Sequence, residues 1–306
     1  MVEINEIAYG GWSRCLQMTN GVIDLVITAE VGPRIIRLGF VGQDNEFRED
    51  ADAMGKTGGD AWRAYGGHRL WHAPENRPRT YYPDNAPVEF AALEHVLRVT
   101  PPVETTTGIA KQMDITLSEE GGHVRIIHRL TNTGVWPVEC AVWALSVMAL
   151  GGRAVVPLPP RGSHTDNLLP TSTLALWAYT NMSDPRWTWG EQYILLQQAD
   201  APPQKIGVNM QDDWAAYVRD GHMFLKFFTV KQGATYPDYN SQVEVFTNAV
   251  MLELETLGPL QTLQPGDSLE HIEDWFLFDG VATPANDADV QSQIVPKVND
   301  ARARLG

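Results

Sequence analysis

The chain has 306 residues, with 23 Lys and Arg against 38 Asp and Glu and a formal net charge of −15. Hydrophobic residues make up 43% and charged residues 20%, the balance of a globular chain and not of a disordered one. The acidic surplus argues against nucleic acid and anionic membrane as partners, which need a basic face, and no apolar run reaches the roughly 18 residues of a membrane span.

The start, Met1-Val-Glu-Ile-Asn-Glu6, lacks a positive segment followed by an apolar one. It does not read as a signal peptide, and the chain is expected in the cytoplasm. Short β-rich runs follow, separated by Gly, Pro, Asn and Asp clusters. They fall at 22–28, 34–40, 94–100, 111–117, 123–131 and 137–148, then at 174–179, 192–198, 214–218, 222–230, 242–247, 250–255 and 269–278. The 20 Pro and 26 Gly supply the turns. Strands without helices between them imply antiparallel sheets, so an all-β sandwich or barrel. Segments 46–64 and 157–170 read as long loops, which in compact domains are often functional. Val290, Ile294, Val298 and Ala301 are spaced for one face of a short helix, disturbed by Pro296. The expected organisation is one β domain over 1–285 and a helical tail over 286–306. Cys15 and Cys140 are too few for a zinc motif or disulfide framework and are expected as buried thiols.

The segment 242–255 gives the sharpest inference. A two-residue turn at Asn248-Ala249 would place Thr247 opposite Val250, Val245 opposite Leu252, Glu244 opposite Glu253 and Gln242 opposite Glu255. Alternation then puts Val243, Val245, Leu252 and Leu254 on a core face and Gln242, Glu244, Glu253 and Glu255 on the other. Facing like charges are destabilising. That face needs water, a cation, a basic side chain or a ligand rich in hydroxyls. A solvated outer face is the alternative, and a slip of one residue would exchange the faces.

A second cluster, Tyr65-Gly-Gly-His-Arg-Leu-Trp-His-Ala-Pro-Glu75, gathers His68, Arg69, Trp71, His72 and Glu75 behind two glycines. Histidine titrates near neutrality and can serve as acid, base or ligand; each of the two could equally be a structural imidazole bonded to backbone. Tyr236, Asp238 and Asn240 sit in a turn-like Tyr-Pro-Asp-Tyr-Asn segment. Lys226, among aromatics, is expected to snorkel at an edge or pair with the hairpin's acids. Trp177, Tyr179, Trp187 and Trp189 offer flat apolar surfaces, as core filler or as stacking platforms. No nucleophile elbow, P-loop, dinucleotide fingerprint, EF-hand or zinc-protease spacing is present, so neither a metal nor a cofactor is expected.

Several stretches resemble the galactose mutarotase-like (aldose 1-epimerase-like) superfamily, in an uncharacterised bacterial branch. They are Val31-Gly-Pro-Arg-Ile-Ile-Arg-Leu38, Gly66–Glu75 with Tyr82-Pro-Asp84, and Leu130-Thr-Asn-Thr-Gly134 with Ala141-Val-Trp-Ala-Leu145. Leu252–Leu260, Leu263–Ser268 and Glu273-Asp-Trp275 complete the set, so the resemblance spans about residues 10–280. It implies a large antiparallel β-sandwich (a supersandwich) with a carbohydrate-sized cleft and a small sugar or oligosaccharide as partner. Glu255 matches the family's catalytic base, and His68 or His72 resembles its earlier histidine. The family's middle-strand histidine is replaced here by Trp143-Ala-Leu-Ser146.

The resulting expectation is anomer exchange, with Glu255 as base and His68 or His72 as acid. Arg69, Trp71, Glu75, Trp143, Lys226, Tyr236, Asp238, Asn240, Glu244 and Glu253 are expected around the sugar. The alternatives are cleavage of an oligosaccharide by two carboxylates, or carbohydrate binding without catalysis.

Overall fold

The computed structural model describes all 306 residues. Its strands pair antiparallel into two sheets of eleven and ten strands, the all-β sandwich expected from the sequence. From one edge the first sheet runs through Glu3–Tyr9, Trp12–Thr19, Ile23–Thr28, Ile35–Phe40, Gly67–Ala73, Val138–Met148, Met251–Leu257, Val243–Asn248, Gln204–Val208 and Leu174–Leu176. In the second, His222–Phe228, Ser268–Phe278 and His123–Asn132 lie side by side at the centre. No helix is long and apolar enough to cross a membrane.

Side chains of the two inner faces form the main core, which includes Leu70, Val142, Val245, Leu254, Ile126 and Trp275. A smaller core lies outside the second sheet, where Val290, Ile294, Val298 and Ala301 of the tail pack on Leu225, Phe227 and Phe276. The tail is not one regular helix. A π-turn over Val290–Ile294 precedes the helix Val295–Leu305, with the Val295 N–H donating to the Val290 carbonyl. Pro296 has no N–H to donate, so the irregularity falls where its ring enters the helix.

Gly67–Ala73 is a central strand, although its sequence does not alternate in polarity. Both its faces are covered, so every residue in it is buried. Gly66 and Gly67 have φ of 98° and 67°. A Cβ at Gly66 would lie 2.0 Å from the Arg48 carbonyl oxygen, and one at Gly67 2.4 Å from that of Ile35. Only glycine lets the 46–64 segment approach at Gly66 and the strand Ile35–Phe40 approach at Gly67.

Candidate functional site

The hairpin turns at Ala249-Val250, not at Asn248-Ala249. Asn248 pairs with Met251, Val245 with Leu254 and Glu244 with Glu255. The register is thus two residues from the expected one, and an even shift preserves the faces. Val243, Val245, Leu252 and Leu254 enter the main core. Glu244, Glu253 and Glu255 share the outer face. The Asn248 carboxamide caps the turn by accepting from the Val250 and Met251 N–H groups, which explains its place one residue earlier.

The cation this acidic face requires comes from the neighbouring strand. Lys205, on Gln204–Val208, lies 2.7 Å from Glu244 Oε2 and 3.1 Å from Glu255 Oε2. Its ammonium sits 4.9 Å from the Trp143 ring centre and 4.7 Å from that of Trp177. Trp143 Nε1–H donates to Glu255 Oε2 at 2.8 Å. Glu244 and Glu255 are both fully buried. Burial pushes the Glu244 carboxyl well above its ordinary value, and that of Glu255 also rises, against the pull of Lys205. The negative charge of the pair in turn holds the Lys205 ammonium against its own burial and raises its pKa.

Above this floor lies a cavity of about 340 Å³, at the small end of the roughly 300–1,000 Å³ range of small-molecule sites. Trp71 and Trp143 meet edge to face with centres 5.4 Å apart, and Trp62 and Tyr81 continue the wall. The Arg69 guanidinium lies 4.3 Å from the Trp71 ring centre and donates to Glu253 Oε1 at 2.8 Å. Tyr179 closes the far side, its hydroxyl pushed up to about 12 by burial. Tyr81 O–H donates to Glu75 at the mouth, where Arg77 stands over the Tyr81 ring.

Of the expected site residues, Arg69, Trp71, Glu75, Trp143 and Glu253 line this cavity, and Glu244 and Glu255 lie beneath its floor. The others lie elsewhere. His68 and His72 alternate with Arg69 and Trp71, so they point between the sheets, away from Glu255. His72 Nε2 contacts Glu104 Oε2 at 3.0 Å; burial lowers the imidazole, and the Lys111 and His72 pairings bring Glu104 to about 2. Lys226 is also interior and bonds Glu273 at 2.9 Å rather than the hairpin acids, because its strand belongs to the opposite sheet. Tyr236, Asp238 and Asn240 form a left-handed turn, with φ of 49° to 68° over Asp238–Asn240. The turn folds on itself through Tyr236 N–H donating to Asn240 Oδ1 at 2.8 Å, and none of the three lines the cavity. Trp187 and Trp189 stack on each other in the second sheet.

The interior imidazoles form one hydrogen-bonded chain. His128 Nδ1–H donates to the His271 carbonyl at 3.1 Å, so its Nε2 accepts from His68 Nε2–H at 2.7 Å, and His68 Nδ1 accepts from the Ser146 hydroxyl at 2.9 Å. His271 Nε2–H donates to Thr256 Oγ1 at 2.8 Å, and that hydroxyl donates to Glu273 at 2.5 Å. Burial holds all three imidazoles neutral, with His271 near 3. Burial alone would raise Glu273, but the Lys226 ammonium outweighs it and keeps the carboxylate well below its ordinary value. His68, His128 and Glu273 have ligand atoms within 4.8 Å of one another, a spacing that suits a metal. Here Lys226 already supplies the cation, and the two Nε2 atoms are spent on each other.

Lys205, Trp62 and Arg48 belong to the cavity and were not singled out from the sequence, whereas Tyr179, read there as core filler or a stacking platform, does line it. Lys205 had a signal: in Gln204-Lys-Ile-Gly-Val208 it alternates with the core residues Ile206 and Val208, placing a lone cation on an outer face.

No family model matches the sequence, and no curated protein does. By structure, the chain is similar to a putative aldose 1-epimerase from Klebsiella pneumoniae, with a TM-score of 0.59 and 12% identity over 94% of this chain and 85% of that one. A galactose mutarotase-like protein from Lactobacillus casei gives 0.56 and 11%, covering 86% of this chain and all of the other. A TPR-domain containing protein from Parabacteroides distasonis gives 0.57 and 11%, and there the match covers 89% of this chain but 49% of the longer one. At these identities the likeness is one of fold: a galactose mutarotase-like β-sandwich.

Proposed function

We propose that the cavity binds one sugar ring and interconverts its anomers by acid–base catalysis, with Glu253 as base and Lys205 as acid. The supporting observation is a single row across the sheet. Glu253 pairs with Phe246 and Phe246 with Lys205, and all three line the cavity. Two strand spacings separate acid from base by about 10 Å at the backbone, with an aromatic ring between them as a platform. Glu253 takes the anomeric hydroxyl proton as Lys205 gives one to the ring oxygen. The ring opens, rotates about C1–C2 and closes with the proton transfers reversed. Glu253 reaches the cavity, while Glu255, the base that the resemblance implies, lies sealed under Lys205. Arg69 orients the base, and Trp71 and Trp143 offer faces to the sugar.

Anomer exchange measured by NMR on a panel of neutral, acidic and phosphorylated aldoses tests this. The expected result is acceleration by the wild type that falls about 100-fold or more in E253Q and in K205M, the range in which general acid–base groups act. A second reading, binding without catalysis, is favoured by the lack of any imidazole in the cavity lining. Indole fluorescence quenched by a sugar whose anomers do not exchange faster would establish it and overturn the first.

A further inference from the structure

We infer that Glu244 and Glu255 hold one proton between them at neutral pH, so that Lys205 rests on a carboxylic acid beside a carboxylate. The two side chains are direct cross-strand neighbours on one face, and both are fully buried. Lys226, behind the sheet, also acts on Glu255 but is engaged by Glu273; the remaining charged groups lie on the outer face. Lys205 comes from the adjoining strand and contacts both. Arg69 from the other side is engaged by Glu253. Asp238, from the turn before the hairpin, and Glu253 add negative charge. One ammonium therefore faces two carboxyl groups that water does not reach. Lys205 reaches Glu244 Oε2 and Glu255 Oε2, whereas Glu244 Oε1 and Glu255 Oε1 have no hydrogen-bond donor. A second full negative charge there would be neither solvated nor paired, and a buried carboxyl in that position retains its proton.

Glu273 gives the contrast within the same molecule. There one carboxylate faces one lysine, and its oxygens also accept from Thr256 and from Trp275 Nε1. That group has the donors an anion needs, and the Glu244–Glu255 pair lacks them.

The inference deepens the proposed reading by naming Glu244 as a positioning residue that acts through Lys205. When Lys205–NH₃⁺ gives a proton to the ring oxygen, the Glu244 carboxyl passes its own proton to the amine. The ammonium is restored and Glu244 is left as carboxylate. Ring closure returns the proton by the same route, so no net proton is gained or lost.

The test does not need turnover. Infrared spectra of the wild type, E244Q and E255Q at neutral pH in D₂O report protonated carboxyl groups directly. The expected result is a buried-carboxyl carbonyl band in the wild type that disappears in E244Q and in E255Q, since either variant leaves one carboxylate for one ammonium. K205M, which removes the only contacting cation, is expected to intensify it. A wild type without the band overturns the inference. So does a band that survives in both glutamine variants, because it then belongs to another buried acid such as Glu46. As a second measurement, unfolding at pH 8, where imidazoles are neutral in both states, should release about one proton more from the wild type than from E244Q, by calorimetry in buffers of different ionisation enthalpy; equal release overturns it. Loss of the band with anomer exchange intact removes the relay alone. The band present without exchange by any sugar removes the catalytic reading alone.

Discussion

Two buried lysines sit on opposite sides of the first sheet, in charge clusters of opposite kind. Lys226, between the sheets, faces one carboxylate, and each oxygen of Glu273 has its donors. Lys205, on the outer face, spans two carboxyl groups that keep unpartnered oxygens, and a cavity lies directly above it. A sealed core excludes water, so a polar group survives there only when every hydrogen bond is made. Beneath the cavity floor that condition is met differently, because a retained proton removes the charge that the missing donors would have to stabilise. Incomplete satisfaction therefore separates the candidate working site from the structural network better than residue type does. The three interior histidines, chemically the more promising, belong to the finished network.

The comparison can be broken by removing each lysine. Lys226→Met leaves Glu273 charged, buried and without its ion pair, and should cost about 3–5 kcal/mol. Lys205→Met should cost less, about 1–3 kcal/mol, because its carboxyl partners can take up protons. Urea unfolding of both variants decides the matter, and equal losses would erase the distinction.

The two clusters also respond to pH with opposite sign. The interior imidazoles are depressed, so the unfolded chain binds more protons than the folded one as pH falls below about 6.5, the free histidine value. Stability held above that pH is lost on acidification, and the depressed Glu273 extends the loss below the usual carboxylate range. Glu244 and Glu255 are raised, so their contribution is present at low pH and is lost as pH rises through their folded values. Thermal unfolding across pH should show E244Q flattening the alkaline limb and leaving the acid limb unchanged. Flattening of the acid limb would contradict the assignment.

The smallest effect on stability is expected at the cavity wall. Arg69→Met removes the hydrogen-bonded pair with Glu253, whose carboxylate keeps access to the cavity, and should shift stability by about 1 kcal/mol, while weakening sugar binding measured by indole fluorescence. A large loss of stability with unchanged binding would move Arg69 from the site to the scaffold.

The hairpin and the Gly67–Ala73 strand show how far the sequence could be read. In the hairpin, Val243, Val245, Leu252 and Leu254 against Glu244, Glu253 and Glu255 fixed the two faces, and that result survived an error of two residues in register. In Gly67–Ala73 no such pattern exists. His68, Leu70 and His72 alternate with Arg69, Trp71 and Ala73, and each set mixes polar with apolar groups because both faces are covered. His68 and Arg69 therefore read as one cluster in sequence, although the sheet divides them. Lys205 stayed hidden for a different reason: its role depends on the pairing of Gln204–Val208 with a strand about forty residues later.

The sequence by itself determined the strand-rich architecture, the turn positions demanded by glycine, the core face of the hairpin and the apolar stripe of the tail. Each follows from local sterics and from the two-residue period of a strand, which neighbouring residues encode. Only the tertiary structure decided which face met which. It gave the acidic hairpin Lys205 in place of Lys226, turned the histidines inward, and enclosed indoles and charges around one cavity. Those outcomes depend on contacts between distant segments, where burial and the pairing of charges are set by the whole sheet and not by any run of residues.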